Sequence, residues 1–115
     1  MTYQIEISPT AIKDIETIFL WLKTNSPNNA YRWARGCYEI MLKLEKFPKR
    51  CPLTLESQYL EIEVRQLFYE KQYKILFTII EHSEENSGIV QIHRVRHGSQ
   101  EIMKTLDQFF SEEET

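Results

Sequence analysis

Glycine is scarce in this chain of 115 residues: there are three, beside four prolines and two cysteines. So few glycines leave no room for a glycine-rich phosphate loop or a collagen-like repeat. Cys37 and Cys51 are too few for a disulfide scaffold and have no second pair to complete a zinc site. Their plain reading is one buried helix thiol and one loop thiol. His93 and His97 stand four residues apart, but on a strand, and neither they nor a paired-cysteine motif is expected to hold a metal; no cofactor is expected. No apolar run approaches the roughly 18 residues of a membrane span. The opening MTYQIEISPT lacks the basic-then-apolar plan of a signal peptide. A cytoplasmic chain with no membrane partner is the expectation. Positive charge is not in excess: 14 Lys and Arg face 17 Asp and Glu, for a net charge of −3. That balance disfavours a generally cationic nucleic-acid coat.

What is present suits one small core. The length matches a single domain on the prior of roughly 100–200 residues each, and 42% of the residues are hydrophobic. We expect one domain over 1–110 and an acidic tail over 111–115. Asp107, Glu112, Glu113 and Glu114 all lie in the last nine residues, and without them the remaining chain carries +1. The acidity belongs to the end.

The pattern along the chain reads β-αα-βββ-α. Tyr3, Ile5 and Ile7 alternate as one face of a short strand. Ser8-Pro9 supplies an N-cap and a proline at the first helical position, where its missing N–H costs nothing. Ala11, Ile12, Ile15, Phe19 and Leu22 then follow helical spacing, with Ile18 and Trp21 widening the stripe, to an end near Thr24-Asn25. Ser26-Pro27 repeats the start signal. Ala30, Ala34, Cys37, Met41 and Leu44 form the second stripe, with Trp33, Ile40 and Phe47 flanking, and Pro48 ends it. Two such helices with a tight turn make an antiparallel hairpin that needs a sheet to lie on.

Residues 49–63 lack a sustained period and read as a loop. Val64–Tyr69, Tyr73–Glu81 and Gly88–Arg96 read as three strands of an antiparallel meander, separated by Glu70–Gln72 and His82–Ser87. A last helix is expected over Gln100–Phe110. The fold class is therefore α+β, with the helical hairpin on one face of a small antiparallel sheet. The first strand pairs at an edge or beside the last strand.

The strands carry the one cluster with chemical potential. Tyr73, Ile75, Phe77 and Ile79 make the better core face, leaving Lys74, Leu76, Thr78 and Ile80 on the other. Arg65 shares parity with Leu67 and Tyr69. Arg94 and Arg96 share parity with Val90 and Ile92, whereas His93 and His97 share it with Val95. A regular strand therefore points arginines and histidines to opposite sides, unless a bulge or bend intervenes. For phosphodiester cleavage, Arg65, Lys74, Arg94 and Arg96 would neutralise phosphate and His97 would act as acid or base. The structural alternative pairs these cations with Glu61, Glu63, Glu70 or Glu81 across strands and leaves His97 capping a turn. Ile102, Leu106, Phe109 and Phe110 form a stripe that either docks on the sheet or, with Lys74 and Leu76, meets a partner.

Several stretches in this order resemble the ParE branch of the RelE/ParE toxins of bacterial type II toxin–antitoxin modules. They are Ile7-Ser-Pro-Thr-Ala-Ile-Lys-Asp-Ile15, Phe47-Pro48, Val64-Arg-Gln-Leu67, Tyr73-Lys-Ile-Leu-Phe77 and Val90-Gln-Ile-His-Arg-Val-Arg-His-Gly98. The resemblance implies the small α+β fold and a cognate antitoxin whose C-terminal segment wraps the toxin, in a toxin–antitoxin hetero-oligomer. ParE-like members are similar in architecture but act on DNA gyrase without catalysis. RelE-like members cleave mRNA on the ribosome, and a degenerate, non-toxic module partner is a third class. Lys74 stands where the family places arginine, keeping the charge but losing the bidentate fork. Gly98 follows His97 where the YoeB-type nucleases carry an aromatic. The missing aromatic, the near-neutral body and the Arg94-Val-Arg-His-Gly98 run turn the expectation toward gyrase and away from the ribosome and mRNA.

Overall fold

The computed structural model describes residues 2–83 and 87–111. Glu112–Glu114 of the expected acidic tail, and the middle of the His82–Ser87 separator, lie outside the described residues. Four strands and four α-helices are present among the described residues, in the expected order with one short helix added. They are β1 (Tyr3–Ile7), α1 (Pro9–Asn25), α2 (Pro27–Leu42), α3 (Glu56–Leu60), β2 (Arg65–Tyr69), β3 (Tyr73–Glu81), β4 (Gly88–His97) and α4 (Leu106–Phe110). The strands form one sheet in the order β1-β4-β3-β2. The meander is antiparallel, as expected, and β1 lies parallel to β4, so the sheet is mixed.

Local chemistry explains the hairpin. The Ser8 hydroxyl oxygen accepts the Ala11 N–H at 3.0 Å, with Pro9 directly after it. Ser26 repeats the position before Pro27 but makes no side-chain cap bond. Ala11, Ile15, Ala30, Trp33, Cys37, Met41 and Leu44 are buried, and all but Ala30 join one cluster with Tyr73, Ile75 and Phe77 beneath them. Gly36 lets the hairpin approach the sheet closely at Tyr69. A Cβ there would collide with the Tyr69 hydroxyl, which donates to the Trp33 carbonyl at 2.8 Å.

Four sequence expectations are corrected. Trp21 does not widen the α1 stripe; it is 65% exposed. Phe47 does not flank the α2 stripe, because α2 ends at Leu42 and the chain passes through two 3-10 turns around an αL Phe47. The 49–63 stretch is not all loop. It contains α3, and Leu53 bridges Arg65 beside the sheet edge.

The last helix begins at Leu106 rather than Gln100, for a physical reason. Thr105 caps it by accepting the Gln108 N–H at 3.2 Å. The preceding backbone is already engaged elsewhere: the Glu101 carbonyl by Arg96, and the Lys104 N–H by the Gln108 side chain.

Helical matter therefore covers both faces. The hairpin packs on the first face, while α3 and the C-terminal segment cover part of the second. There Leu60, Val64, Leu76, Met103 and Phe109 form a smaller core.

Candidate functional site

A single extra residue in β4 decides where the cationic side chains point. Leu76 pairs with Arg94 and Phe77 with Ile92, so His93 is left over as a bulge. Val90 and Ile92 lie on the hairpin face before it, and Val95 and His97 lie there after it. His93, Arg94 and Arg96 all fall on the second face. The regular-strand parity, which grouped Arg94 and Arg96 with Val90 and Ile92, is thus overturned at one position. His97 still points away from the arginines.

The five residues considered for phosphate chemistry do not converge. Arg65 sits opposite Phe77 on the first face, bonded to the Cys51 carbonyl at 2.7 Å and 3.6 Å from Glu63. His97 is also on the first face, at the far end, with its ring edge-on to Tyr73. Its Nδ1 accepts the Ser99 N–H at 3.0 Å, which closes the turn after β4.

Arg94 is buried to 1% exposure. Its Nε and Nη2 donate to the two carboxylate oxygens of Asp14 at 2.7 and 2.9 Å, and its Nη1 to the Gln108 carbonyl at 2.7 Å. Arg96 donates to the Glu101 carbonyl at 2.8 Å. Arg65 pairs with Glu63, but within its own segment rather than across strands, while Glu70 pairs with Arg32 and Glu81 with Lys49.

Asp14 is the residue that sequence reasoning missed. Beyond Ile92, β1 has ended and one edge of β4 is open. Asp14 reaches this edge from the second turn of α1, and its carboxylate also accepts the Val95 N–H at 2.9 Å. Ser8 serves the same edge, its hydroxyl donating to the His93 carbonyl at 3.1 Å. A lone acid in the second turn of an amphipathic helix is common, so nothing local marked it.

The partner-contact expectations also divide. Leu76 and Phe109 are fully buried within the chain's own second core, so neither lies on an open surface. Ile102 is half-buried, while Leu106 and Phe110 are about half exposed. Met103, outside the expected stripe, takes the buried position.

Lys74 is half-buried and has no ion pair among the described residues. It lies across from both Phe68 and Arg96 on the second face, at the edge of a cleft of about 610 Å³. Two buried oxygens in this region, Thr54 Oγ1 and Glu56 Oε1, have no hydrogen-bond partner among the described residues.

Nucleophile chemistry has little support here. Burial first, and then the charge of Glu70, pushes the Cys37 thiol up to about 12, and burial also raises that of Cys51. Among the described residues, no group of three or more His, Cys, Asp or Glu could hold a metal ion. No helix among them is long and apolar enough to cross a membrane.

His93 carries a pH dependence. Its Nε2 is 2.8 Å from the Thr78 hydroxyl, and its ring packs on Phe109 and Phe110. Burial lowers its pKa below the usual histidine value. The unfolded chain therefore takes up this proton first as pH falls through about 6.5. The associated stability is present at neutral pH, falls below that point, and levels off below the folded-state pKa. Melting curves at pH 7.5 and 5.5 are expected to show a larger loss for the native chain than for His93→Gln. Equal losses would show that His93 is not the group responsible.

No curated protein matches this chain. The model of one protein family does, over residues 5–102, which runs from within β1 through β4 to the start of the segment after it. That match covers the hairpin, the bulged strand and the cleft at Lys74, and its family is described as the ParE toxin of the parDE type II toxin–antitoxin system. The chain thus belongs to the ParE toxin family, as a toxin of a type II toxin–antitoxin system whose partner is a cognate antitoxin.

Proposed function

We propose that this toxin acts in the cytoplasm on DNA gyrase by binding, without bond-making chemistry of its own, until its antitoxin covers it in a hetero-oligomer. The observation that carries this reading is the dispersal of the nuclease residues. General acid–base cleavage needs the acid or base and the phosphate-neutralising groups around one reacting atom. Here His97 and Arg65 occupy the first face at opposite ends. Lys74 and Arg96 occupy the second, and Arg94 is held by Asp14. The family match supports a ParE-type target in the same direction.

The test is induced expression in a bacterium together with a supercoiling assay on purified gyrase. Expected results are an SOS response, trapped gyrase–DNA complexes, and toxicity that survives His97→Ala. Rapid translation arrest with cut mRNAs, abolished by His97→Ala, would instead establish the ribosome-dependent endoribonuclease. Growth unaffected by the native chain would identify a non-toxic module partner.

A further inference from the structure

Between α2 and α3 the chain passes through residues 43–50, a short stretch whose charge is opposite to that of the rest of the molecule. Lys43, Lys46, Lys49 and Arg50 stand there beside one acid, Glu45, for a net +3. The remaining residues hold ten Lys and Arg against sixteen Asp and Glu, or −6. Leu44 and Pro48 are buried and anchor the stretch, while its charged residues are exposed. Lys49 pairs with Glu81 at 2.8 Å. Lys43, Lys46 and Arg50 have no carboxylate within ion-pairing distance among the described residues. Such a local excess of positive charge attracts phosphate.

The second feature is a ring with no structural occupation. Phe47 is 64% exposed and has left-handed backbone, at φ 51° and ψ 51°. Glycine or asparagine adopts that conformation at less cost. The turn therefore has no need of a phenylalanine, and neither has the core. What the ring offers is an apolar face, with Lys46 before it and Lys49 and Arg50 after it.

The third feature is that this strained turn is held in place. The Arg50 N–H donates to the Phe47 carbonyl at 3.1 Å. Its Nη1 donates to the carbonyls of Lys46 and Phe47 at 2.7 and 3.0 Å. Pro48 fixes the next φ. A ring presented on a fixed turn loses little freedom when it binds.

Cations flanking an exposed aromatic suit a ligand that carries both phosphates and unpaired bases. In a duplex the bases already stack on one another, and an acidic peptide brings charge without a base. We propose that the 43–50 turn binds single-stranded nucleic acid, with one base stacked on Phe47 and the neighbouring phosphates on Lys46 and Arg50. Lys43 and Lys49 add to the field. The site reads backbone charge and the face of a base, so it tolerates any sequence. This inference goes beyond gyrase inhibition and does not rest on it.

The probes are fluorescein-labelled strands of ten deoxythymidines and of ten uridines, titrated with the full chain at about 50 and 200 mM salt and read by anisotropy. Saturable binding that weakens as salt rises is expected, and the tighter strand tells whether DNA or RNA is the source. Phe47→Ala should weaken binding about tenfold, as loss of one stacked base does, and Phe47→Trp should restore it. The same Phe47→Ala change should leave binding of a matching duplex unaltered. Lys46→Gln should reduce the salt slope by about 0.7. Phe47→Gly separates folding from binding. It relieves the left-handed backbone, so its melting temperature should equal or exceed the native value while strand affinity falls as for alanine. The proposal is overturned if neither strand binds, if Phe47→Ala or Phe47→Gly keeps full affinity, or if the Lys46→Gln slope is unchanged. Tighter capture of phosphatidylserine vesicles or of a decaglutamate peptide overturns it in favour of a membrane surface or an acidic protein.

Discussion

Arg94→Ala is expected to destabilise the protein by about 3–5 kcal/mol, the range for removing one partner of a buried ion pair. The guanidinium is 1% exposed and the Asp14 side chain 13%, so solvent screens this pair far less than the surface bridges. The truncation leaves the Asp14 carboxylate with the Val95 N–H as its donor among the described residues. It also frees the Gln108 carbonyl from Arg94. The effect should therefore reach past the pair to the C-terminal segment. Urea unfolding monitored by circular dichroism measures the total, and hydrogen exchange at residues 103–110 measures the spread. A cost below about 1 kcal/mol would place the pair with ordinary surface bridges. Asp14→Asn separates charge from shape, because the amide keeps one acceptor oxygen while losing the charge.

Phe109→Ala is expected to cost about 3–4 kcal/mol, whereas Phe110→Ala should cost less than about 1. The rings are adjacent and in contact, 5.0 Å between centroids. Phe109 is fully buried against Leu76 and Met103, while Phe110 is half exposed. Deleting Phe109 opens a cavity beneath α4, a helix of five residues that has little stability of its own. Side-by-side thermal melts of the two variants test this. Equal effects would mean that the segment docks through the pair as a unit rather than through Phe109.

Much of the fold was legible because its signals are local. Ser8-Pro9 announces a helix start through its cap bond and Ser26-Pro27 through the proline at the first helical position, and the β-branched runs announce strands. The site was less legible because its determinants are not local. The bulge at His93 is a one-residue slip with no glycine or proline to mark it, yet it moves Arg94 and Arg96 to the opposite face. The Asp14–Arg94 pair spans 80 positions, a separation that no spacing rule reaches. The C-terminal stripe failed for a related reason. Helical period alone cannot show that the Glu101 carbonyl and Met103 N–H are engaged by Arg96 and Glu56.

The sheet order also sets a timetable for synthesis. β4 is the strand that β1 and β3 both need, and Ser8 meets His93 across 85 positions of chain. Contacts between such distant positions cannot form until nearly the whole chain has been made, and closing so long a loop is slow. A chain emerging from its N-terminus first exposes β1 and the hairpin without the strands they lie on. The toxin is thus assembled as one late event rather than piece by piece, and the ribosome that makes it finishes with it before it acquires its folded surface.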